Sequence, residues 1–364
     1  MHFRSAIGRR SLSIGFLTLC AAAGNGLPAS AERPQFTVGW SIYVGWNPYQ
    51  YMVRSGILDK WAAKYGVSIR VQRFDYAPSL DAFVSRNIDA CTMTNMEALD
   101  MPAASGVDST AVIVGDYSNG NDAVLVRNKL SFNQLSGKRV LLVQKTVSEY
   151  LLERGLAISG VKDGEKGLHL VNTADSDIVT AFTSDASNHA VVTWKPLVSQ
   201  IRSSGGVTTL FDSSKIPAEI LDLLVVRTDV LQRPDGVKFA KAVTGAWYEV
   251  MRQLSDGGPQ GDVAMKGIAS VSGDSVSSFK EQLSTTHLYS KPSEAVAFTT
   301  SKELQTKMEL VRQFCFRHNL LGEHSASADD VAILYPDGAV QGRKDRVKLR
   351  FDAGYMRMAQ EGKL

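Results

Sequence analysis

The chain has 364 residues, too many for one compact core, so two lobes are expected. Hydrophobic residues make up 44% and charged residues 21%, which excludes a disordered chain, a collagen and a disulfide scaffold. The formal charge is +3, but without Arg4, Arg9 and Arg10 the 40 basic residues fall to the number of acids, 37, and a neutral body has no overall field for nucleic acid or an anionic membrane.

Those three arginines precede an apolar stretch from Leu12 to Ala23, then Gly24, Gly26 and Pro28, then Ala29-Ser30-Ala31. A basic start, a short apolar run and a small-residue end make a cleavable secretory signal peptide over residues 1–31, cut after Ala31, so the mature protein is expected outside the cytoplasm. The apolar run is too short to span a bilayer. Arg9-Arg10-Ser11-Leu12 is a partial twin-arginine signal, which leaves the export route open. Leu19 before Cys20 fits a lipoprotein cleavage site poorly, so a free protein is expected.

Phe36 to Tyr43 reads as the first strand. Asn47-Pro48 then offers an N-cap followed by a proline at the first helical position. Tyr49, Val53, Ile57, Trp61 and Tyr65 keep a spacing of four and mark one helical face, interrupted at Gly56 and stopped at Gly66. Val67 to Phe74 is a second strand, Pro78 to Val84 a helix and Ile88 to Met93 a third strand. The alternation recurs: strand from Lys138 to Val143, helix from Ser148 to Ile158, strand from Leu168 to Val171, helix from Ile178 to Thr183, strand from Ala190 to Thr193. Strand–helix alternation of this kind builds mostly parallel sheets flanked by crossover helices, an α/β fold.

Two extended runs, Asn121 to Val126 and Leu221 to Val226, flank the second of these segments. They read as two hinge crossings around a lobe inserted into another. The expected organisation is a first lobe over 32–124, a second over 125–222, a mostly helical return to the first over 223–330, and a basic, polar extension over 331–364 that wraps the surface. Cys91 and Cys315 remain after cleavage and read as two buried thiols, although sequence does not fix whether they pair.

Two places look alike. Thr94-Asn95-Met96-Glu97 and Thr146-Val147-Ser148-Glu149 each open a helix after a strand, with the spacing of a capping box. Ligands of open α/β sheets bind at such carboxyl ends of strands, although a capping box alone needs no ligand. Trp46, between Gly45 and Asn47, lies in the first strand–helix turn, and Trp194 follows a strand in the second half; either ring can cover a small ligand with its face. The loops expected at the cleft carry Glu97, Asp116, Asp122, Glu149, Asp175, Asp177 and Asp222 against Lys145 and Lys195. This balance favours a cationic or urea-like ligand, since an anion would recruit arginine, whereas the two helix N-termini argue the other way. His169, His189, His287, His318 and His324 are scattered without metal spacing, and no nucleophile elbow or phosphate-binding loop is present. No catalytic residue, metal or cofactor is therefore assigned.

The chain resembles the periplasmic solute-binding proteins of nitrate, taurine and sulfonate ABC importers. The resemblance rests on Gly56-Ile57-Leu58-Asp59-Lys60-Trp61 with Lys64-Tyr65-Gly66-Val67, on Leu80-Asp81-Ala82-Phe83 followed by Asn87-Ile88-Asp89-Ala90, and on Gly137-Lys138-Arg139-Val140. Asp177 to Phe182 and Val191-Val192-Thr193-Trp194-Lys195-Pro196 extend it, while Arg86-Asn87 stands where the class often has glycine. Within the class, Phe74-Asp75-Tyr76, Thr92 to Glu97, Gly115 to Asp122 and Asn172 to Asp177 look like the binding proteins associated with urea carboxylase. The resemblance implies a two-lobe receptor for guanidinium or urea, working as a monomer with an inner-membrane ABC permease, and no nucleic acid. It carries the ligand pocket onto Trp46, Asn95, Glu97, Asp116, Asp122, Glu149, Asp175 and Trp194. The alternatives are a receptor for a sulfonate or nitrate-type anion, and an enzyme on the same fold resembling the pyrimidine-synthesis proteins of thiamine biosynthesis.

Overall fold

The computed structural model describes residues 32–161 and 164–364; the expected signal peptide lies outside them. The chain begins with β1 (Gln35–Trp40), α1 (Asn47–Arg54), α2 (Ile57–Tyr65), β2 (Ser68–Arg73), α3 (Tyr76–Val84), β3 (Ala90–Thr94) and β4 (Ser109–Ser118). It then crosses into a second sheet at β5 (Ala123–Arg127) and continues through β6 (Arg139–Leu142), α4 (Val147–Ile158), β7 (His169–Asn172), α5 (Ile178–Ser184), β8 (Asn188–Thr193), α6 (Leu197–Ser203) and β9 (Val207–Asp212). It returns with β10 (Leu221–Arg227) and α7 (Thr228–Leu231) and runs helically through α8 (Pro234–Asp256), α9 (Gly258–Ala269) and α10 (Val276–Leu283). After β11 (Thr286–Leu288), α11 (Pro292–Thr299) and α12 (Lys302–Arg317), it ends with β12 (Ala332–Leu334), β13 (Val340–Gln341), β14 (Val347–Phe351) and α13 (Gly354–Gln360).

The strands form two sheets. The nine-stranded sheet of the first lobe runs β13-β12-β14-β4-β10-β3-β1-β2, with β11 also on β4, and the five-stranded sheet of the second lobe runs β7-β6-β8-β5-β9. The helix-connected strands β1, β2 and β3 pair in parallel, as do β6, β7 and β8. The strands next to the crossings run the other way: β10 is antiparallel to both β3 and β4, and β5 to both β8 and β9. Among the described residues no helix is long and apolar enough to cross a membrane.

Local chemistry explains the elements. Pro48 opens α1, and Gly56, at φ +75°, separates α1 from α2 in a left-handed conformation that costs a residue without Cβ little. Gly66 ends α2 in the same way. β3 is buried along its whole length, in keeping with its place between β1 and β10. Cys91 and Cys315 are free and buried.

The C-terminal segment departs from the sequence expectation. It is not a surface wrap: β14 pairs in parallel with β4, Leu349 opposite Ser109, and β12 and β13 extend the sheet from there. The charged residues of Val347-Lys348-Leu349-Arg350-Phe351 hide a period-two pattern whose Leu349 and Phe351 are buried. The second sheet spans residues 123–212, and Leu221 to Val226, read from the sequence as the second hinge crossing, is a strand of the first lobe's sheet.

Candidate functional site

Seven chain segments meet where the strand ends of the two sheets face each other. They are the β1–α1 turn, the start of α3, the end of β3, the β4–β5 crossing, the start of α4, the turn after β8 and the start of β10. Strand ends at a topological switch leave backbone groups and side chains free to face a ligand. Between them is a small cavity that leaves about 20 Å³ for the centre of a water molecule.

Its wall is mostly aromatic. Tyr43 and Trp46 from the β1–α1 turn, Tyr76 at the start of α3 and Trp194 after β8 all line it. The rings meet in series: Tyr43 to Trp46 at 5.1 Å between centroids, Trp46 to Tyr76 at 5.5 Å and Tyr76 to Trp194 at 5.6 Å. The mixture of tilted and edge contacts suits their quadrupoles and holds the rings as one rigid surface. Tyr76 is fixed further because its hydroxyl accepts from the backbone N–H of Thr94 at 3.0 Å. Trp46 keeps its buried Nε1 without a hydrogen-bond partner among the described residues.

The polar part is acidic. Asp122 from the crossing and Asp222 from β10 line the cavity, with Thr94 beside them. Behind them Asp116 of β4 lies opposite Asp222 in the strand register. The Tyr43 hydroxyl donates to Asp116 Oδ1 at 3.1 Å. A side chain at Gly45 would collide with the Asp116 carboxylate, so glycine is what lets the turn close over it. Burial pushes Asp122 up to about 7, and the Glu97 charge adds to the rise. Burial likewise raises Asp116 to about 7, against the lowering effect of hydrogen bonds from Asp222 and Tyr43. Asp222 is raised well above the carboxylate range, by burial first and then by the Asp116 charge. Asp116 and Asp222 therefore titrate together, both raised above the ordinary carboxylate range.

Among the described residues no lysine, arginine or histidine lines the cavity. Lys195, next to Trp194, is buried and donates instead to Glu281 Oε1 at 2.6 Å and to Thr285 Oγ1 at 3.0 Å. The N-terminus of α4, an anion site by its geometry, is already satisfied: Val147 N–H donates to Glu97 Oε1 at 2.7 Å, and Ser148 N–H to Thr146 Oγ1 at 3.3 Å.

Three of the residues singled out in the sequence line the cavity: Trp46, Asp122 and Trp194. The others do different things. Asn95 ties β3 to β10, donating to Glu219 O at 3.1 Å and accepting from Leu221 N–H at 2.9 Å. Glu97 lies behind Thr94, whose hydroxyl it accepts, and clasps the first lobe to α4 through Val147. Asp175 is a second clasp, accepting from Tyr76 N–H at 3.4 Å, and Trp194 Nε1 donates across the cleft to Ile42 O at 3.3 Å. Glu149 turns away from the cavity towards Lys145 N–H and His318. Tyr43, Thr94 and Asp222 were visible as an aromatic neighbour, a capping threonine and a loop acid; Tyr76 carried no signal beyond its place in a short motif.

The clasp gives a first expected result. Glu97→Ala leaves Val147 N–H without its acceptor only while the lobes are together, whereas the Thr94 hydroxyl, on the same lobe as Glu97, loses its acceptor in either state. Closure should weaken by about 1–3 kcal/mol, read as an increased radius of gyration in small-angle scattering of the ligand-free protein. Unchanged scattering would show that the clasp does not govern closure.

Neither the known protein-family models nor the curated proteins yield a sequence match. Solved structures do match. The chain is similar to the alkanesulfonate-binding protein SsuA from Xanthomonas axonopodis pv. citri, bound to MOPS, with a TM-score of 0.65 at 16% identity over 82% of this chain and 98% of that one. For the periplasmic aliphatic sulphonate-binding protein SsuA from Escherichia coli the values are 0.63, 17%, 80% and 94%. For the periplasmic nitrate-binding protein NrtA from Synechocystis PCC 6803 they are 0.56, 13%, 90% and 98%. The chain has the two-lobe fold of periplasmic binding proteins, two sheets flanked by helices.

Proposed function

We propose that this protein is the periplasmic solute-binding component of an ABC importer and that it captures guanidinium or urea, guanidinium foremost, between its lobes. The observation that carries the reading is a cavity walled by aromatic rings and two aspartates, Asp122 and Asp222, with no basic side chain among the described lining residues. Size supports it. A sphere of the cavity's volume has a radius of about 1.7 Å, enough for the heavy-atom centres of guanidinium, whose C–N bonds are about 1.3 Å. Nitrate has the same planar outline, so size does not separate the two; charge does. Carboxylates pair with N–H groups as they do with the arginine fork, and ring faces attract a cation. An anion would meet Asp122 and Asp222, and the helix N-terminus that could receive it is taken by Glu97.

On this reading Asp122 and Asp222 accept the ligand's N–H groups, Trp46, Tyr76 and Trp194 enclose it, and the Glu97 and Asp175 clasps hold the lobes together for a membrane permease. The reading assigns no reaction. Thermal-shift assays confirmed by titration calorimetry, with guanidinium, urea, taurine and nitrate in turn, test it. A ligand at about 100 times its Kd should stabilise the protein by about 2.7 kcal/mol. Guanidinium or urea should do so, whereas a shift with nitrate or taurine alone would overturn the ligand assignment and leave a receptor for an anion.

A further inference from the structure

A second group of ligating side chains lies outside the cavity, where α4 of the second lobe meets the end of α12 of the first. Glu149, Glu165 and His318 each bring one donor atom to within 4.8 Å of the others. Glu149 lies in the first turn of α4, Glu165 in the 3-10 turn Gly164–Gly167, and His318 just after α12. His318 Nδ1 stands 3.2 Å from Glu149 Oε1.

The surroundings prepare the imidazole to be a ligand. Its Nε2 is bonded to Glu153, and its ring stacks on Phe314 with centroids 4.2 Å apart. A carboxylate on Nε2–H orients the ring as it does in metal-bound histidines, with Nδ1 towards Glu149; against the lowering effect of burial, the two glutamates raise His318 to about 9, so a metal would displace the Nδ1 proton. Arg317 Nη2 donates to Glu153 Oε1 at 2.5 Å and balances that carboxylate. The second oxygen of Glu149 is held by Lys145 N–H at 2.6 Å, which aims Oε1 at the histidine. Glu165 Oε1 is buried and has no hydrogen-bond partner among the described residues. Two carboxyl groups and the imidazole face one another, and a dication would take the place of the proton on Nδ1.

We propose that Glu149, Glu165 and His318 form a site for a divalent transition-metal cation of the zinc type, which ties α4 of the second lobe to the end of α12 of the first. One imidazole with two carboxylates is a mixed N/O donor set that suits zinc and its neighbours rather than magnesium or calcium. Donors around a tetrahedral zinc lie about 3.4 Å apart, which the His318–Glu149 pair already satisfies, so Glu165 on its short turn supplies the remaining movement. The site was invisible in the sequence because its three ligands come from separate segments. It is independent of the ligand cavity: its metal would act as a strut between the lobes, made without the cavity residues.

The test is calorimetric titration of the untagged full chain with Zn²⁺, alongside Mn²⁺, in a non-chelating buffer, with thermal unfolding followed in parallel. One equivalent of Zn²⁺ should bind and raise the melting temperature. Glu165→Gln should weaken binding about tenfold or more, and His318→Gln about a hundredfold. Glu165 is half-buried and its Oε1 has no partner among the described residues, so Glu165→Gln tests the site even if His318→Gln fails to fold. Asp122→Asn should leave Zn²⁺ binding unchanged. Absence of saturable binding of either ion, or equal Zn²⁺ affinity in Glu165→Gln, would overturn the proposal.

Discussion

Asp122→Asn should abolish guanidinium binding and, at the same time, make the ligand-free protein more stable. The two effects share one cause. Asp122 is buried and titrates at about 7, against an ordinary value near 4. A raised carboxyl is one that the fold prefers protonated. The stability it carries is whole below the unfolded value and is lost as pH climbs from about 4 to about 7. Three units at about 1.4 kcal/mol each put the loss above pH 7 at about 4 kcal/mol as an upper bound. Asparagine keeps the shape without the charge, so chemical denaturation at pH 8 should find the variant more stable by up to that amount, and at pH 4 nearly unchanged. Removing one side of a buried charge pair costs about 2–5 kcal/mol of binding, or about thirtyfold to several-thousandfold in Kd. Calorimetry with guanidinium reads that loss. A variant that bound as tightly as the parent would remove Asp122 from the site, and one less stable at pH 8 would show that its charge is satisfied in the fold.

How far the sequence reached depends on how local each signal is. The helices and the parallel strands follow from periodicities inside one segment, and the Gly56 break and Gly66 stop needed only the backbone rule for glycine. β12, β13 and β14 escaped because β12 and β13 are three and two residues long and β14 alternates charged with apolar residues, so only their pairing in the sheet reveals them as strands. The same limit governs the site. Trp46, Asp122 and Trp194 could be placed because turns and crossings at strand ends face the cleft whatever the details. Glu97 and Glu149 looked equivalent, each the fourth residue of a Thr-x-x-Glu motif, yet one reaches across to Val147 and the other turns to His318. What separates them is a partner on a distant element, which spacing does not encode. Asp222 was a loop acid like several others until β10 placed it opposite Asp116.

The pH dependence of binding should separate guanidinium from urea without mutagenesis. A cation needs the carboxylate form of its partners, and guanidinium, like the arginine side chain, keeps its charge across the accessible range. Asp122 and Asp116 both titrate at about 7, raised by burial, and Asp222 is raised well above the ordinary carboxylate range by burial and by the Asp116 charge. Below pH 7 binding must therefore expel a proton from Asp122 and, as the cation's field spreads to the pair behind it, part of another from Asp116. Guanidinium affinity should rise with pH by about tenfold per unit for each proton released, with a slope between one and two from pH 5 to 7 and a plateau above about pH 8. Calorimetry in two buffers of different ionisation enthalpy counts the protons directly: more than one at pH 6, almost none at pH 8.5. Urea is neutral and accepts as well as donates hydrogen bonds, so a protonated Asp122 remains a usable partner and its affinity should stay flat or fall as pH rises. A flat guanidinium profile would mean that the carboxylates are already ionised without the ligand. Their burial beneath Trp46, Tyr43 and Trp194 would then be relieved by opening of the cleft, and closure, not proton release, would be the step that the cation drives.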